Sequence, residues 1–153
     1  MWTKTKSLLL SRILTMVTGG IVLILTFFVP AFSQWYEKKS LGRGFFGESG
    51  IALTMCICLY ICEILALIAL YELHVLLENI NKEQVFTQRN TACLRRISWA
   101  CMLAGVSFAV FGLWKFVFLL PAMLAVMFGL IMRVLKNVFE KAVEIKSEND
   151  FTV

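Results

Sequence analysis

Glu63 is the side chain whose type and position in this sequence point most directly to chemistry. It is the one charged residue in the apolar run from Ile51 to Tyr71. A carboxylate inside a membrane helix costs about 3 kcal/mol to insert and usually faces the interior of a helical bundle. Such a group can form a structural hydrogen bond, carry protons or ions, or act as a conformational switch. The sequence leaves these three roles open.

The partner of Glu63 depends on which polar groups lie at the same depth. Glu63 follows Ile51 by 12 residues, about 18 Å along a helix at about 1.5 Å per residue. Arg133 follows Pro121 by the same number of residues, which places it at the same depth. A buried Glu63–Arg133 ion pair is therefore one alternative. A protonated Glu63 that is hydrogen-bonded to Ser107 or to a threonine of the first apolar run is the other.

The other residues that could do chemistry carry weaker signals. His74 is the single histidine, so the usual histidine-rich metal site cannot be built. Cys56, Cys58 and Cys62 share the apolar run with Glu63, and their spacing favours packing over the usual redox pair. The sequence has no glycine-rich phosphate loop, zinc signature or nucleophile elbow. We therefore predict that the protein is not an enzyme and uses no metal or cofactor.

The elements that must position these residues are membrane-spanning helices. The chain has 153 residues, of which 59% are hydrophobic and 16% charged, whereas a soluble domain is about 45–50% apolar and about 25% charged. A helix needs about 20 apolar residues to cross a bilayer. We predict an all-α fold, a four-helix transmembrane bundle that forms one membrane domain over 1–153. Its spans are predicted at about 10–32, 51–71, 97–114 and 120–136. The connecting segments are an outer loop (33–50), an inner loop (72–96) and a tail (137–153).

Lysine and arginine predict the orientation of this bundle. Eleven of them fall on the side that holds the N-terminus, and four (Lys38, Lys39, Arg43 and Lys115) fall on the other. Both termini are therefore predicted to be cytoplasmic. The net charge of +5 is interpreted as topology and affinity for anionic lipid, and direct binding of nucleic acid is not expected.

The second, third and fourth helices are predicted to extend into the cytoplasm. Thr87 is predicted to be the N-cap of the third helix. The fourth helix continues past the membrane with an apolar stripe that could pack on the inner loop or on a partner. The residues of this stripe are Val134, Leu135, Val138, Phe139, Ala142 and Val143.

Small residues predict close helix packing in two spans. Ala100 and Ala104, then Gly105 and Ala109, are small residues four apart in the third span, a spacing that lets helix backbones approach. The Gly19-Gly20 pair offers a similar surface in the first span. These surfaces could close the bundle or form a homodimer.

Two motifs on the cytoplasmic side carry a family resemblance. The inner loop reads Val85-Phe86-Thr87-Gln88-Arg89-Asn90 and then Leu94-Arg95-Arg96-Ile97, and the chain ends Glu148-Asn149-Asp150-Phe151-Thr152-Val153. With four spans in this length, the sequence resembles a bacterial family of four-span membrane proteins of unknown function. That family shows Phe-Ser/Thr-x-x-Asn, Leu-Arg-x-Ile and a C-terminal Glu-Asn-Asp-hydrophobic-Thr-Val/Ile. The resemblance implies a prokaryotic inner membrane. It also implies a regulatory partner, because family members are commonly encoded beside a Cro/CI-type helix-turn-helix regulator.

The residues of these motifs are the candidates for contact with a cytoplasmic partner. They are Phe86, Thr87, Asn90, Arg95, Glu148, Asn149, Asp150, Phe151 and Val153. The short tail could dock in a groove of the partner or fold back on its own chain.

Two functions follow as hypotheses. The first is a membrane-anchored regulatory or interaction protein whose cytoplasmic face binds the helix-turn-helix regulator. The alternative is a small, dimeric, proton-coupled exporter that uses Glu63, by analogy with small multidrug exporters.

Overall fold

The computed structural model describes residues 4–39 and 50–150, and nearly all of this part of the chain is helical. It contains five α-helices and one 3-10 turn, without strands in the described ranges. The helices are α1 (Lys4–Leu25), α2 (Val29–Lys39), α3 (Ile51–Asn81), α4 (Gln88–Gly112) and α5 (Leu119–Asp150), with the 3-10 turn at Phe116–Phe118. Helices α1, α3, α4 and α5 are long and apolar enough to cross a membrane. The predicted all-α, four-span fold is thereby confirmed.

The first apolar run is two helices rather than the single span predicted over 10–32. A turn at Thr26–Phe28 separates α1 from α2. Pro30 explains the break, because proline has no backbone N–H and cannot bond to the carbonyl four residues earlier, that of Thr26. Helix α2 then covers the first part of the predicted outer loop. Its Glu37 Oε1 accepts a hydrogen bond from the backbone N–H of Ala52 at 3.3 Å, one of the donors left open at the start of α3.

The helices pack in the order α1, α3, α4, α5, with α2 against α3. The most extensive contact is between α4 and α5. A Cβ atom added to Gly105 of α4 would lie 2.6 Å from Val126 Cγ2 and 3.1 Å from the backbone oxygen of Ala122. The Ser98 hydroxyl donates to the carbonyl of Gly129 at 2.7 Å. The third span is thus closely packed, as predicted, and glycine on both helices makes the contact possible.

The Gly19-Gly20 surface of α1 is different. A Cβ atom added to either glycine would meet nothing within 4 Å. This predicted packing surface therefore takes no part in closing the bundle within one chain.

Two hydrophobic clusters hold the ends of the bundle. Near the start of α3, Ile51, Met55 and Cys58 pack against Phe111 of α4, with Tyr36 of α2 at the edge. At the far end of α3, Leu76 packs against Cys93 and Leu94 of α4, with Met132 and Phe139 of α5 beside them. The middle of the bundle, between these clusters, is less completely filled.

Candidate functional site

A cleft of about 1020 Å³ occupies the middle of the bundle. Helix α3 forms its floor, α1 one wall, and α4 with α5 the other. Along α3 it reaches from Leu59 to Leu76, about 25 Å at about 1.5 Å per residue. Volumes of this size accommodate drug-sized or larger ligands. The cleft is therefore a candidate site for a small molecule.

Small side chains explain why the cleft exists. Five alanines on three helices line it: Ala66, Ala69, Ala100, Ala104 and Ala125. A methyl group fills little of the space between helices, so the walls stay apart at this level. Ala100 and Ala104 were expected to bring helices together, and instead they form part of the wall. The close α4–α5 contact is made by Gly105, on another face of α4.

Glu63 lies on the floor of the cleft and contacts the break in the first span. Its Oε1 accepts a hydrogen bond from the Thr26 hydroxyl at 2.5 Å. The Tyr60 hydroxyl donates to the carbonyl oxygen of Thr26 at 3.5 Å. That carbonyl is the one that Pro30 leaves without a helical partner. Because backbone groups at membrane depth must be satisfied within the protein, Tyr60 supplies the donor for this carbonyl. Glu63, one turn further along α3, binds the Thr26 side chain.

The second carboxyl oxygen of Glu63 is not used in this way. Oε2 is buried and has no hydrogen-bond partner among the described residues. An unpaired buried acceptor costs about 1–3 kcal/mol. Apart from Glu63, the polar groups that line the cleft are Thr18 and the thiols of Cys62 and Cys101. Glu63 therefore lines a largely apolar cleft, with one oxygen bonded to the fold and the other buried without a partner among the described residues.

The structure decides between the partners predicted for Glu63. The threonine of the first run, Thr26, is the partner. Arg133 lies elsewhere, with its guanidinium carbon 5.1 Å from the centre of the Trp99 ring, and the Ser107 hydroxyl bonds to Cys58 Sγ at 3.5 Å. The predicted pairing with Arg133 or Ser107 is wrong because residue counting gives depth but not the face of the helix on which a side chain lies.

Thr26→Val is expected to lower the free energy of unfolding by about 2 kcal/mol, because Glu63 would lose its hydrogen-bond donor in a low-dielectric surrounding. Valine keeps the shape of threonine, so the loss reports the hydroxyl. The measurement is helical circular dichroism during titration of the detergent-solubilised protein with sodium dodecyl sulfate. Thr26→Ser keeps the hydroxyl and should lose much less; equal losses in the two variants would contradict the assignment.

The loop motif, which was predicted to contact a cytoplasmic partner, forms hydrogen bonds largely within its own chain. Asn90 is fully buried (0% exposed). Its Nδ2 donates to the carbonyls of Gln84 and Val85, each at 2.7 Å, and its Oδ1 accepts from Asn79 Nδ2 at 2.7 Å. Thr87 Oγ1 accepts from the backbone N–H of Asn90 at 3.4 Å, which makes Thr87 the N-cap of α4, as predicted. Asn90 and Thr87 were both predicted to contact a partner, and in the structure both form hydrogen bonds within their own loop.

The other motif residues differ in exposure. Phe86 is 45% exposed and packs against Phe139, with ring centres 5.8 Å apart. Arg95 is exposed. Glu148 and Asn149 lie in the last turns of α5, which ends at Asp150. Phe151 and Val153 lie outside the described residues.

One contact between α3 and α4, near the loop that joins them, could not be predicted from the sequence patterns used above. Arg96 Nη1 of α4 lies 2.7 Å from Glu72 Oε1 of α3, and the Glu72 side chain is largely buried. Each residue lies at the edge of an apolar run, Glu72 just after Tyr71 and Arg96 just before Ile97. Their shared depth is the signal that could have identified the pair.

Comparison with known proteins gives a family but no activity. The family model described as "Protein of unknown function (DUF2975)" matches residues 11–153. No curated protein and no solved structure matches this chain. Among the described residues, no three histidine, cysteine, aspartate or glutamate side chains come together as a metal site. This four-span membrane protein belongs to the DUF2975 family.

Proposed function

We propose that this chain is a membrane-anchored regulatory or interaction protein whose cytoplasmic face binds a helix-turn-helix regulator. The observation that carries the proposal is an exposed apolar stripe on the last part of α5. Beyond the predicted span, which ends at about residue 136, Val138 and Ile145 are 59% and 54% exposed. Their spacing places them on one helix face. Because helix α5 has 32 residues, about 48 Å against a hydrocarbon core of about 30 Å, part of it must extend beyond the membrane.

The fold of the described chain leaves these residues of α5 exposed. The opposite face of the same segment carries the internal contacts, where Phe139 packs against Phe86 and Val143 is buried. The predicted stripe thus divides into an internal half and an exposed half. An amphipathic helix with an unpaired apolar face is a usual ligand for a groove on a partner protein. The excess of lysine and arginine on this side supports a cytoplasmic location, and with it both termini on the inner side of a prokaryotic inner membrane.

Val138→Asp is expected to reduce co-purification of the proposed helix-turn-helix regulator at least about tenfold, since burial of a valine side chain contributes about 1.5–3 kcal/mol. The experiment uses the full chain in detergent, with a Cro/CI-type helix-turn-helix protein from the same genome as prey. Asn137→Asp adds the same charge at the adjacent exposed position and serves as the matched control. Equal recovery of the regulator with both variants would contradict the proposal.

A second candidate, a proton-coupled exporter that acts as a dimer, is favoured by one observation. Glu63 lines the cleft, and its Oε2 has no hydrogen-bond partner among the described residues; a carboxyl group in such a place could carry protons during transport. The discriminating measurement is proton-driven efflux from proteoliposomes. Efflux by the wild type that is lost in Glu63→Gln supports the exporter, and the absence of efflux from wild-type vesicles rejects it.

A further inference from the structure

We propose that the cleft is a binding site for a lipophilic amine, with Glu63 as the residue that binds its nitrogen. The proposal begins with Oε2 of Glu63, which is buried and unpartnered on the cleft floor. No lysine or arginine is among the residues that line the cleft, so the protein does not supply a counter-charge there. An occupant that carries a hydrogen-bond donor would complete the hydrogen bonding of Glu63.

The chemistry of the cleft separates the candidate occupants. A hydrocarbon chain alone would fill the apolar space but leave Oε2 without a donor. A zwitterionic phospholipid headgroup brings an ammonium but also a phosphate, which would be buried without a counter-charge because no lysine or arginine lines the cleft. An ammonium group on a hydrocarbon body donates to Oε2, forms a carboxylate–ammonium pair without net charge, and places its apolar part against the alanine-lined walls. Burying such a pair inside a bilayer costs less free energy than burying either charge alone.

The packing of the bundle gives this ligand a route. Helix α1 packs on α3, and the cleft separates α1 from α4 and α5. A molecule dissolved in the bilayer can therefore enter sideways between α1 and α5 without crossing the tight α4–α5 contact. Binding of the amine in the cleft does not require that a regulator binds the cytoplasmic face, nor that the ligand is moved across the membrane.

The test uses the full chain in nanodiscs of zwitterionic lipid, with dodecylamine as the probe and 1-dodecanol as its length-matched neutral control. Bound probe is counted by native mass spectrometry. We expect one dodecylamine per chain, retained about tenfold more strongly than dodecanol, the preference of a hydrogen bond to a charged group. Glu63→Gln keeps the shape and the acceptor for Thr26 and should abolish that preference. Glu144→Gln removes an exposed carboxylate and should leave it unchanged.

A second variant tests the cleft itself. Ala104→Phe fills part of the cleft and should reduce the retention of both probes while the helical circular dichroism remains that of the wild type.

Four outcomes would overturn the proposal. They are equal retention of amine and alcohol, an amine preference that survives Glu63→Gln, a co-purified phospholipid that dodecylamine does not displace, and a dimer that holds Glu63 at its interface and excludes the probe. Loss of regulator binding in Val138→Asp is read separately, so each proposal can fail alone.

Discussion

Gly105→Leu is expected to lower the free energy of unfolding by about 3 kcal/mol or more, the upper part of the range for overpacked sites. The reason is the α4–α5 contact. A Cβ atom at Gly105 would lie 3.1 Å from the backbone oxygen of Ala122 and 3.2 Å from the backbone nitrogen of Val126. Backbone atoms cannot rotate away as the end of a side chain can, so α4 and α5 would have to separate. The measurement is titration with sodium dodecyl sulfate followed by helical circular dichroism.

The matched control is Gly19→Leu. The same substitution is made in another membrane-spanning helix, at a position where an added Cβ atom meets nothing within 4 Å. It should leave the stability within about 0.5 kcal/mol of the wild type, as for surface substitutions generally. If Gly19→Leu were as destabilising as Gly105→Leu, the close packing would have been assigned to the wrong helices.

Asn90→Ala should cost about 3 kcal/mol of unfolding free energy, because it leaves one buried and two part-buried hydrogen bonds without the Asn90 side chain at once. The carbonyls of Gln84 and Val85 would lose their donor, and Asn79 would lose its acceptor. Unfolding of the purified protein in detergent measures the loss. Asn137→Ala, at an exposed position of α5, is the control and should change little.

The same experiment separates two roles for the loop motif. If Asn90 acted chiefly through a partner, Asn90→Ala would unfold like the wild type and lose only the regulator. If it acts as the structure indicates, stability falls first, and any loss of the regulator follows from the altered loop. A wild-type unfolding curve for Asn90→Ala would therefore contradict the internal role.

Features that depend on length and local pattern could be predicted from the sequence. The spans followed from apolar runs of about 20 residues, and Thr87 was identified as an N-cap because a hydroxyl residue precedes a helical segment. The start of the last helix was predicted near Leu120, with Pro121 in its first turn, and α5 begins at Leu119. Each of these needs only neighbouring residues.

Features that depend on rotation between helices could not be predicted in the same way. Two side chains at one depth meet only if their helices turn the right faces toward each other, which is why Glu63 contacts Thr26 and Arg133 contacts Trp99. The cleft has the same origin. Small residues such as Ala100 and Ala104 either draw helices together or leave space between them, and their spacing alone does not distinguish the two.

The break at Thr26–Phe28 is an intermediate case. Pro30 signalled it in the sequence, since proline removes a helical hydrogen bond. The uninterrupted apolar composition of the run instead favoured a single span. What the sequence could not supply was the donor to the Thr26 carbonyl at the break, which is the hydroxyl of Tyr60.

That pairing also bears on how the protein is made. The donor to the Thr26 carbonyl and the acceptor of the Thr26 hydroxyl lie 34 and 37 residues later in the chain. Helix α1 is long and apolar enough to cross a membrane by itself, but the carbonyl at the break that follows it meets its donor only after α3 has been synthesised. The first two spans should accordingly settle into the bilayer as a pair, and the first should remain close to the insertion machinery until the second arrives.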